Sequence, residues 1–219
     1  RQSPANDAET LSLTVELADA LSELNQWDEA ERLLRESLET SRRVLGMQHP
    51  ATIHAMAGLL NLASVREDGK AADEIQKLAG GRFVFTSDQT ETLEAVSRLA
   101  SVLARLEKHA DAERLLRQVK DSYHQRLGPG DPRTLETMHD LAGVLLGQDK
   151  SAEGEELLRG SLEGMRRVFG PEHPKTLEAE SWLAPILAGQ KKFDEAEAMF
   201  RHHWDASGRV LGIDHPHTL

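Results

Sequence analysis

The sequence predicts an all-α protein, a solenoid of antiparallel helix pairs, from three observations. One turn phrase recurs at a nearly fixed period, the apolar residues between turns fall at helical spacing, and Gly and Pro mark where helices stop and start.

The phrase reads VLGMQHPATI from Val44, RLGPGDPRTL from Arg126, VFGPEHPKTL from Val168 and VLGIDHPHTL from Val210, so that Pro50, Pro132, Pro174 and Pro216 are 82, 42 and 42 residues apart. Threonine locates the copy hidden in the long interval. Thr10, Thr52, Thr92, Thr134, Thr176 and Thr218 are spaced 42, 40, 42, 42 and 42, with SDQTETL (Ser87 to Leu93) as a degraded copy. A period of this length specifies a linear array in which each unit packs on its neighbours, so length alone is no guide to domain number. The expected organisation is one repeat domain over 1–219, a piece of a longer protein, with units near 8–49, 50–89, 90–131, 132–173 and 174–215 and the start of a sixth at 216–219.

Within the first unit, Leu13, Leu17, Ala18, Leu21 and Leu24 form one apolar stripe and predict a helix A near 9–24. After Asn25 and Gln26 a second stripe, Ala30, Leu33, Leu34, Ser37, Leu38, Ser41, Val44 and Leu45, predicts a helix B near 28–45. The later A helices are expected near 51–65, 91–106, 132–147 and 174–189, and the B helices near 70–79, 109–127, 151–169 and 193–211. Helix B repeats a small-then-large pattern: Ala112, Leu115, Leu116, Val119; Gly154, Leu157, Leu158, Ser161; Ala196, Met199, Phe200, His203. The small residue admits a neighbouring helix and the large ones fill the core between units.

Gly46, Gly128, Gly170 and Gly212 suit the left-handed residue that ends a helix, and the proline four residues later suits the first position of the next, where its missing N–H costs nothing. Asp131, His49, His173 and His215 precede those prolines at the cap position, which gives the histidines a structural role before any chemical one. Two breaks stand out. Gly80-Gly81 should end the second helix B near Ala79, with RFVF (82–85) crossing as an extended or irregular segment, and Pro185 should kink the fifth helix A toward the groove.

Composition narrows the function. A net charge of −11 and 4% aromatic residues oppose a surface that tracks phosphates or stacks bases, so no nucleic-acid partner is expected. The absence of cysteine excludes disulfides, thiolate zinc sites and thiol nucleophiles. No apolar run reaches membrane-spanning length and no signal segment opens the chain, which leads to the expectation of a cytoplasmic protein without a membrane partner. Glu136-x-x-His139 is half of a di-iron motif whose second half is missing, GPGDP (Gly128 to Pro132) is a turn, and no nucleophile elbow occurs. His202-His203-Trp204 reads as surface and core of a helix B, with His203 at a core or boundary position holding one hydrogen-bond partner. The expectation is no catalytic residue, no metal, no cofactor and no enzyme.

The phrases WDEAERLL, HADAERLL and FDEAEAMF, each opening a helix B, resemble tetratricopeptide repeats, and the 42-residue period with the turn LGxxHPxTL is similar to the long kinesin light chain-like variant. The resemblance covers essentially the whole chain. It implies a right-handed superhelix whose concave wall is lined by helix A, and a scaffold that binds a peptide segment or partner domain there. The alternative it implies is a regulatory or sensor arm of a larger signalling ATPase or kinase, packed against its own catalytic domain. The helix A stripes opposite the core run Ser12, Val15, Asp19, Ser22; His54, Ala57, Asn61, Ser64; Glu94, Ser97, Ser101, Ala104 with Arg105; Glu136, His139, Gly143; and Glu178, Ser181, Pro185. The peptide-binding candidates are Asp19, His54, Asn61, Glu94, Ser101, Arg105, Glu136, His139 and Glu178.

Two departures limit the resemblance. Only Asn61 and Arg105 come near the positions with which some tetratricopeptide domains clamp a C-terminal carboxylate, and Glu16, Gly58, Arg98, Asp140 and Trp182 stand at a register where kinesin light chains carry asparagines. The cargo specificity of that family is therefore not transferred. Glu94, Glu136 and Glu178 share one register in three consecutive units, which predicts an acidic wall and a partner that is neutral or basic rather than acidic.

Overall fold

The structure, a computed structural model, describes residues 4–80 and 89–210. Those residues form ten helices: α1 (Pro4–Glu23), α2 (Trp27–Val44), α3 (Pro50–Val65), α4 (Gly69–Gly80), α5 (Thr90–Arg105), α6 (His109–Leu127), α7 (Pro132–Leu146), α8 (Ser151–Val168), α9 (Pro174–Gly189) and α10 (Phe193–Val210). All ten expected helices are present, with most ends within one residue of expectation. α1 starts five residues early, because Pro4 suits a first helical turn and Ala5, Ala8 and Glu9 favour helix although they carry no apolar stripe. The crossing expected at 82–85 and the turns at Gly212 and Pro216 lie outside the described residues.

The turn from helix A to helix B is the same in all five helix pairs, and its left-handed residue is never glycine. Asn25, Glu67, Glu107, Asp149 and Lys191 adopt φ of 61°, 54°, 59°, 60° and 64°. The following N–H reaches back five residues each time, from Gln26 to Leu21 O, Asp68 to Ala63 O, Lys108 to Leu103 O, Lys150 to Leu145 O and Lys192 to Leu187 O, all at 2.9 Å. This is a Schellman closure, which satisfies carbonyls that the end of an A helix would leave open.

The return turn, from helix B to the next helix A, is written into the sequence. Gly46, Gly128 and Gly170 adopt φ of +92°, +89° and +93°, a conformation that costs an L side chain about 1–2 kcal/mol. The recurring threonine locks this turn: Thr52, Thr134 and Thr176 donate from Oγ1 to the carbonyls of Gly46, Gly128 and Gly170 at 2.8, 2.9 and 2.8 Å. All three threonines are fully buried. The residue before each proline caps the helix: His49 Nδ1 accepts from Ala51 N at 3.2 Å, His173 Nδ1 from Lys175 N at 3.3 Å, and Asp131 Oδ1 from Arg133 N at 2.9 Å. Burial holds the His49 pKa below its ordinary value against an opposing pull from Glu91, which keeps the accepting nitrogen free of a proton.

The chain divides into two compact units, Arg1–Val119 and Lys120–Leu219. In the first, α2 packs on both α1 and α3, and α3 packs on α1, α4 and α5. Leu34 of α2 lies so close to Gly58 of α3 that a Cβ there would come within 2.7 Å of its Cδ2. In the second, α8 packs between α7 and α9, and α9 on α10. Gly154 admits Leu146, Gly164 admits Leu135, and Leu158, Leu162, Leu183 and Leu187 share one core. The Glu–Arg pairs of the B helices add exposed links, and some reach into the next unit: Glu31 also meets Arg66 at 2.9 Å, and Glu155 meets Gln190 at 2.6 Å and Lys192 at 3.0 Å. Burial alone would raise the Glu155 pKa, but hydrogen bonds from Gln190, Arg159 and Lys192 outweigh it and bring it to about 2.

Three expectations about the core are corrected. Leu13, Leu17 and Leu24 are exposed, and the buried residues of α1 are Leu11, Val15 and Ala18. The periodicity was real, but the positions matching Leu13 and Leu17 in later units (Ala55 and Leu59, Ala95 and Leu99, Ala179 and Leu183) are covered by a preceding helix pair, and no described helix precedes α1. Phe200, expected in the core, is exposed for the converse reason: its counterparts Leu34 and Leu158 face a following A helix, and α10 is the last described element. Val15, expected on the groove, is buried, whereas Ala57 is buried and still lines it.

Thr134→Val keeps the shape and removes the donor to Gly128, so it should cost about 1 kcal/mol. Leu116→Ala, at a fully buried site, should cost about 2–5 kcal/mol. Urea unfolding monitored by circular dichroism checks both; an unchanged midpoint for Thr134→Val would remove the hydroxyl from the account of the repeat.

Candidate functional site

Helix A residues of successive pairs line an open cleft in each compact unit. In the first, α1, α3 and α5 enclose about 420 Å³. Asp19, His54, Asn61 and Arg105, four of the sequence candidates, line it together with Glu23 and Arg98. The charges balance and are largely engaged. Arg105 donates to Asn61 Oδ1 at 2.8 Å, and Arg98 lies 3.9 Å from Asp19. Burial raises the Asp19 pKa, Arg98 opposes the shift, and Glu23 and Glu16 reinforce it. Burial and then Arg98 lower the His54 pKa, so this imidazole stays neutral at physiological pH. Ser101 and Glu94 are exposed on α5 but do not line the cleft; the Ser101 hydroxyl is spent on Ser97 O at 3.0 Å.

The second unit has a smaller and more acidic cleft of about 180 Å³, where Glu136, His139 and Glu178 meet Asp140, Met165 and Lys175. Lys175 pairs with Glu136 and lies 5.8 Å from the centroid of the Phe169 ring. Asp140 keeps an exposed edge, yet the atoms packed around it, followed by the charges of Glu136 and Glu178, push its pKa up to about 6. His139 is held neutral by burial against an opposing pull from Glu178, and its Nδ1 is buried without a hydrogen-bond partner. Its ring meets Trp182 edge-on at 5.3 Å and 73°. Of the three glutamates that share one register, Glu136 and Glu178 line this cleft, and Glu94 belongs to the first compact unit.

Sequence reading missed Glu180. This carboxylate is completely buried on α9, where it takes Arg166 at 2.6 Å and the His202 ring at 2.8 Å. The signal was present: the same register holds Met56, Val96 and Met138 in the earlier units, so a glutamate there breaks an apolar column. Trp182, Asp140 and Arg98 share one register, which spacing alone does not mark as a site. His203 Nδ1 donates to Leu177 O, 3.0 Å away, as a boundary histidine with one partner. Pro185 lies exposed within a helix that runs unbroken to Gly189.

Among the described residues no group of three or more His, Asp or Glu is placed to hold a metal ion, and no helix is long and apolar enough to cross a membrane. The clefts offer charged and aromatic side chains on rigid helices, which suits recognition of another chain.

Consecutive helix pairs closed by Schellman and glycine turns, with open clefts along the A helices, define a helical repeat protein of the class that generally mediates protein–protein interactions. The chain belongs to the tetratricopeptide repeat family, whose profiles match residues 10–51, 91–153 and 139–206. No curated protein matches it significantly. Its structural neighbours include a kinesin light chain-like protein of nearly identical TPR-like repeats from Podosopora anserina, with a TM-score of 0.70 at 20% identity over 93% of this chain and 97% of that one. BtubC (BKLC) from P. vanneervenii superposes with a TM-score of 0.61 at 13% identity, over 100% and 78% of the two chains. MamA residues 41 to the end, from Desulfovibrio magneticus RS-1, gives 0.56 at 16% identity over 93% and 97%. These likenesses establish the fold; the repeats are what is evident, and no catalytic domain is identified.

The raised Asp140 pKa gives a test with a definite sign. Folding favours the protonated acid, so its charge opposes folding above pH about 6, and this opposition disappears as pH falls toward the ordinary value of 3.8. Asp140→Asn should raise Tm at pH 8, and the gain should shrink as the pH is lowered through 6 toward 4. A gain independent of pH would assign the effect to packing.

Proposed function

We propose that this chain is a protein-interaction scaffold that receives a peptide segment or partner domain along its A helices, and that the partner is neutral or basic where it meets the second cleft. The single observation that carries the charge preference is the crowding of three carboxylates, Glu136, Asp140 and Glu178, against one paired lysine. Such an excess is relieved by an incoming cation and made worse by an incoming carboxylate. Asp19, His54, Asn61 and Arg105 form a balanced cleft in the first unit that favours hydrogen bonding over net charge. Glu94 and Ser101 serve as exposed contacts on α5.

The test uses labelled peptides of equal length, one rich in Lys and Arg and one rich in Glu, titrated by fluorescence anisotropy at about 20 and about 200 mM salt. The basic peptide should bind, more weakly at the higher salt, and Glu94→Lys with Glu136→Lys and Glu178→Lys should abolish binding while the helical circular dichroism is kept. Equal binding of the acidic peptide, or unchanged affinity in the triple variant, overturns the charge preference.

A further inference from the structure

Trp182 stands beside the second cleft, edge-on to His139 of its lining, with 46% of its surface exposed. Exposure alone says little on α9 and α10, because Phe200 and Trp204 are also exposed. Those two occupy registers that are buried in earlier units (Leu34 and Leu38, Leu158 and Leu162), so their exposure reflects a helix face that no described element covers. Trp182 is different. Its register holds Glu16, Gly58, Arg98 and Asp140, none of them buried, so it is a surface position in every unit and an aromatic there serves no core.

The ring is also held in place. Gly143 of α7 leaves the space it rests on, since a Cβ at that residue would lie 3.1 Å from Cζ3 of the indole. The matching register carries Asp19, Asn61, Ser101 and Pro185, so the missing side chain and the added indole occur together at one place. His139 braces the ring edge-on and, being neutral, offers no cation of its own. Glu178 precedes Trp182 by one helical turn on the same face of α9, and Asp140 precedes Gly143 by three residues on the same face of α7. Lys175 is committed to Glu136, while neither Asp140 nor Glu178 forms an ion pair among the described residues.

We propose that Trp182, with Asp140 and Glu178, forms a seat for one arginine side chain of the partner, the guanidinium plane lying on the indole and its N–H fork turned to the carboxylates. This rests on the reading that the A helices bind a neutral or basic partner, and it names the anchor. Arginine fits better than lysine because it is planar, stacks on aromatic faces and donates two parallel hydrogen bonds, whereas an ammonium is a compact, strongly hydrated charge. The groups facing the seat are Glu136, His139 and Lys175, besides Asp140 and Glu178 themselves. Because burial and the neighbouring Glu136 and Glu178 push the Asp140 pKa up to about 6, the seat should weaken as pH falls from 7 to 5.

The test is a titration of the whole chain with the blocked peptide acetyl-Gly-Arg-Gly-amide and its Lys and Glu counterparts, followed by peptide proton NMR. The arginine δ-methylene signal should move upfield by the ring current of a stacked indole, and more at pH 7 than at pH 5. Trp182→Leu should abolish that shift and weaken binding about two- to fivefold, while Trp182→Phe keeps most of both. Asp140→Asn with Glu178→Gln should weaken binding further and remove its pH dependence. If Trp182→Leu binds as tightly as the parent while Glu136→Lys with Glu178→Lys still abolishes binding, the seat is rejected and the preference for basic partners stands. Lysine peptide bound as tightly as arginine peptide overturns the stacked-guanidinium geometry. A parent chain that prefers the glutamate peptide overturns the underlying reading as well.

Discussion

The hydrogen bond from the recurring threonine to the recurring glycine carbonyl is the constraint on which the rest depends. It spans the turn where helix B ends and the next helix A begins, and it is made at 2.8–2.9 Å in each of the three turns described with the full Gly-x-x-[His/Asp]-Pro-x-Thr phrase. Glycine supplies the left-handed residue, proline the helical start, the residue between them the cap, and the buried hydroxyl ties the two ends together. Once the turn is fixed, the angle at which each A helix leaves is fixed, and with it which side chains meet the preceding B helix and which meet the cleft. A repeated turn thus becomes a repeated wall.

That dependence explains what was legible from the sequence. Helix positions could be read because their ends are written in Gly, Pro and Thr, and these residues are selected by backbone geometry rather than by context. Burial was less legible. Leu13, Leu17 and Phe200 have the right type and spacing for a core, but whether they are covered depends on the neighbouring helix pair, which their own segment does not encode. The A-to-B turn shows the opposite case: Asn25, Glu67, Glu107, Asp149 and Lys191 share one conformation with no one residue type common to all five, so the structure repeats where the sequence is silent.

The candidate sites divide in the same way. Asp19, His54, Asn61 and Arg105 converge because helical spacing predicts a face well, and Glu136, His139 and Glu178 converge for the same reason. What spacing could not supply is the interaction between faces of neighbouring A helices. The first cleft pairs its arginines with Asp19 and Asn61 and is close to neutral; the second leaves carboxylates to crowd one another. Both follow from one repeat template with different residues at one or two registers, and so the chemistry of each cleft is set by departures from the repeat.

Glu180 carries that argument furthest. At its register the other described A helices from α3 onward hold Met56, Val96 and Met138, which need only apolar contact, whereas Glu180 is buried with Arg166 of α8 and His202 of α10 against its two oxygens. A buried carboxylate without partners would cost several kcal/mol, so α8, α9 and α10 must keep the relative placement that satisfies it, and apolar packing alone sets no such directional demand. Arg166 and His202 are each partly exposed, which lets their other donors remain hydrated while the carboxylate is not. The polar triad therefore fixes the orientation of α9, and α9 is the helix that presents Glu178 to the cleft and Trp182 beside it, against His139. The departure from the repeat inside the core and the departures on its surface lie on one helix, so the ion pairs that hold α9 on its inner side also position the acidic and aromatic groups on its outer side.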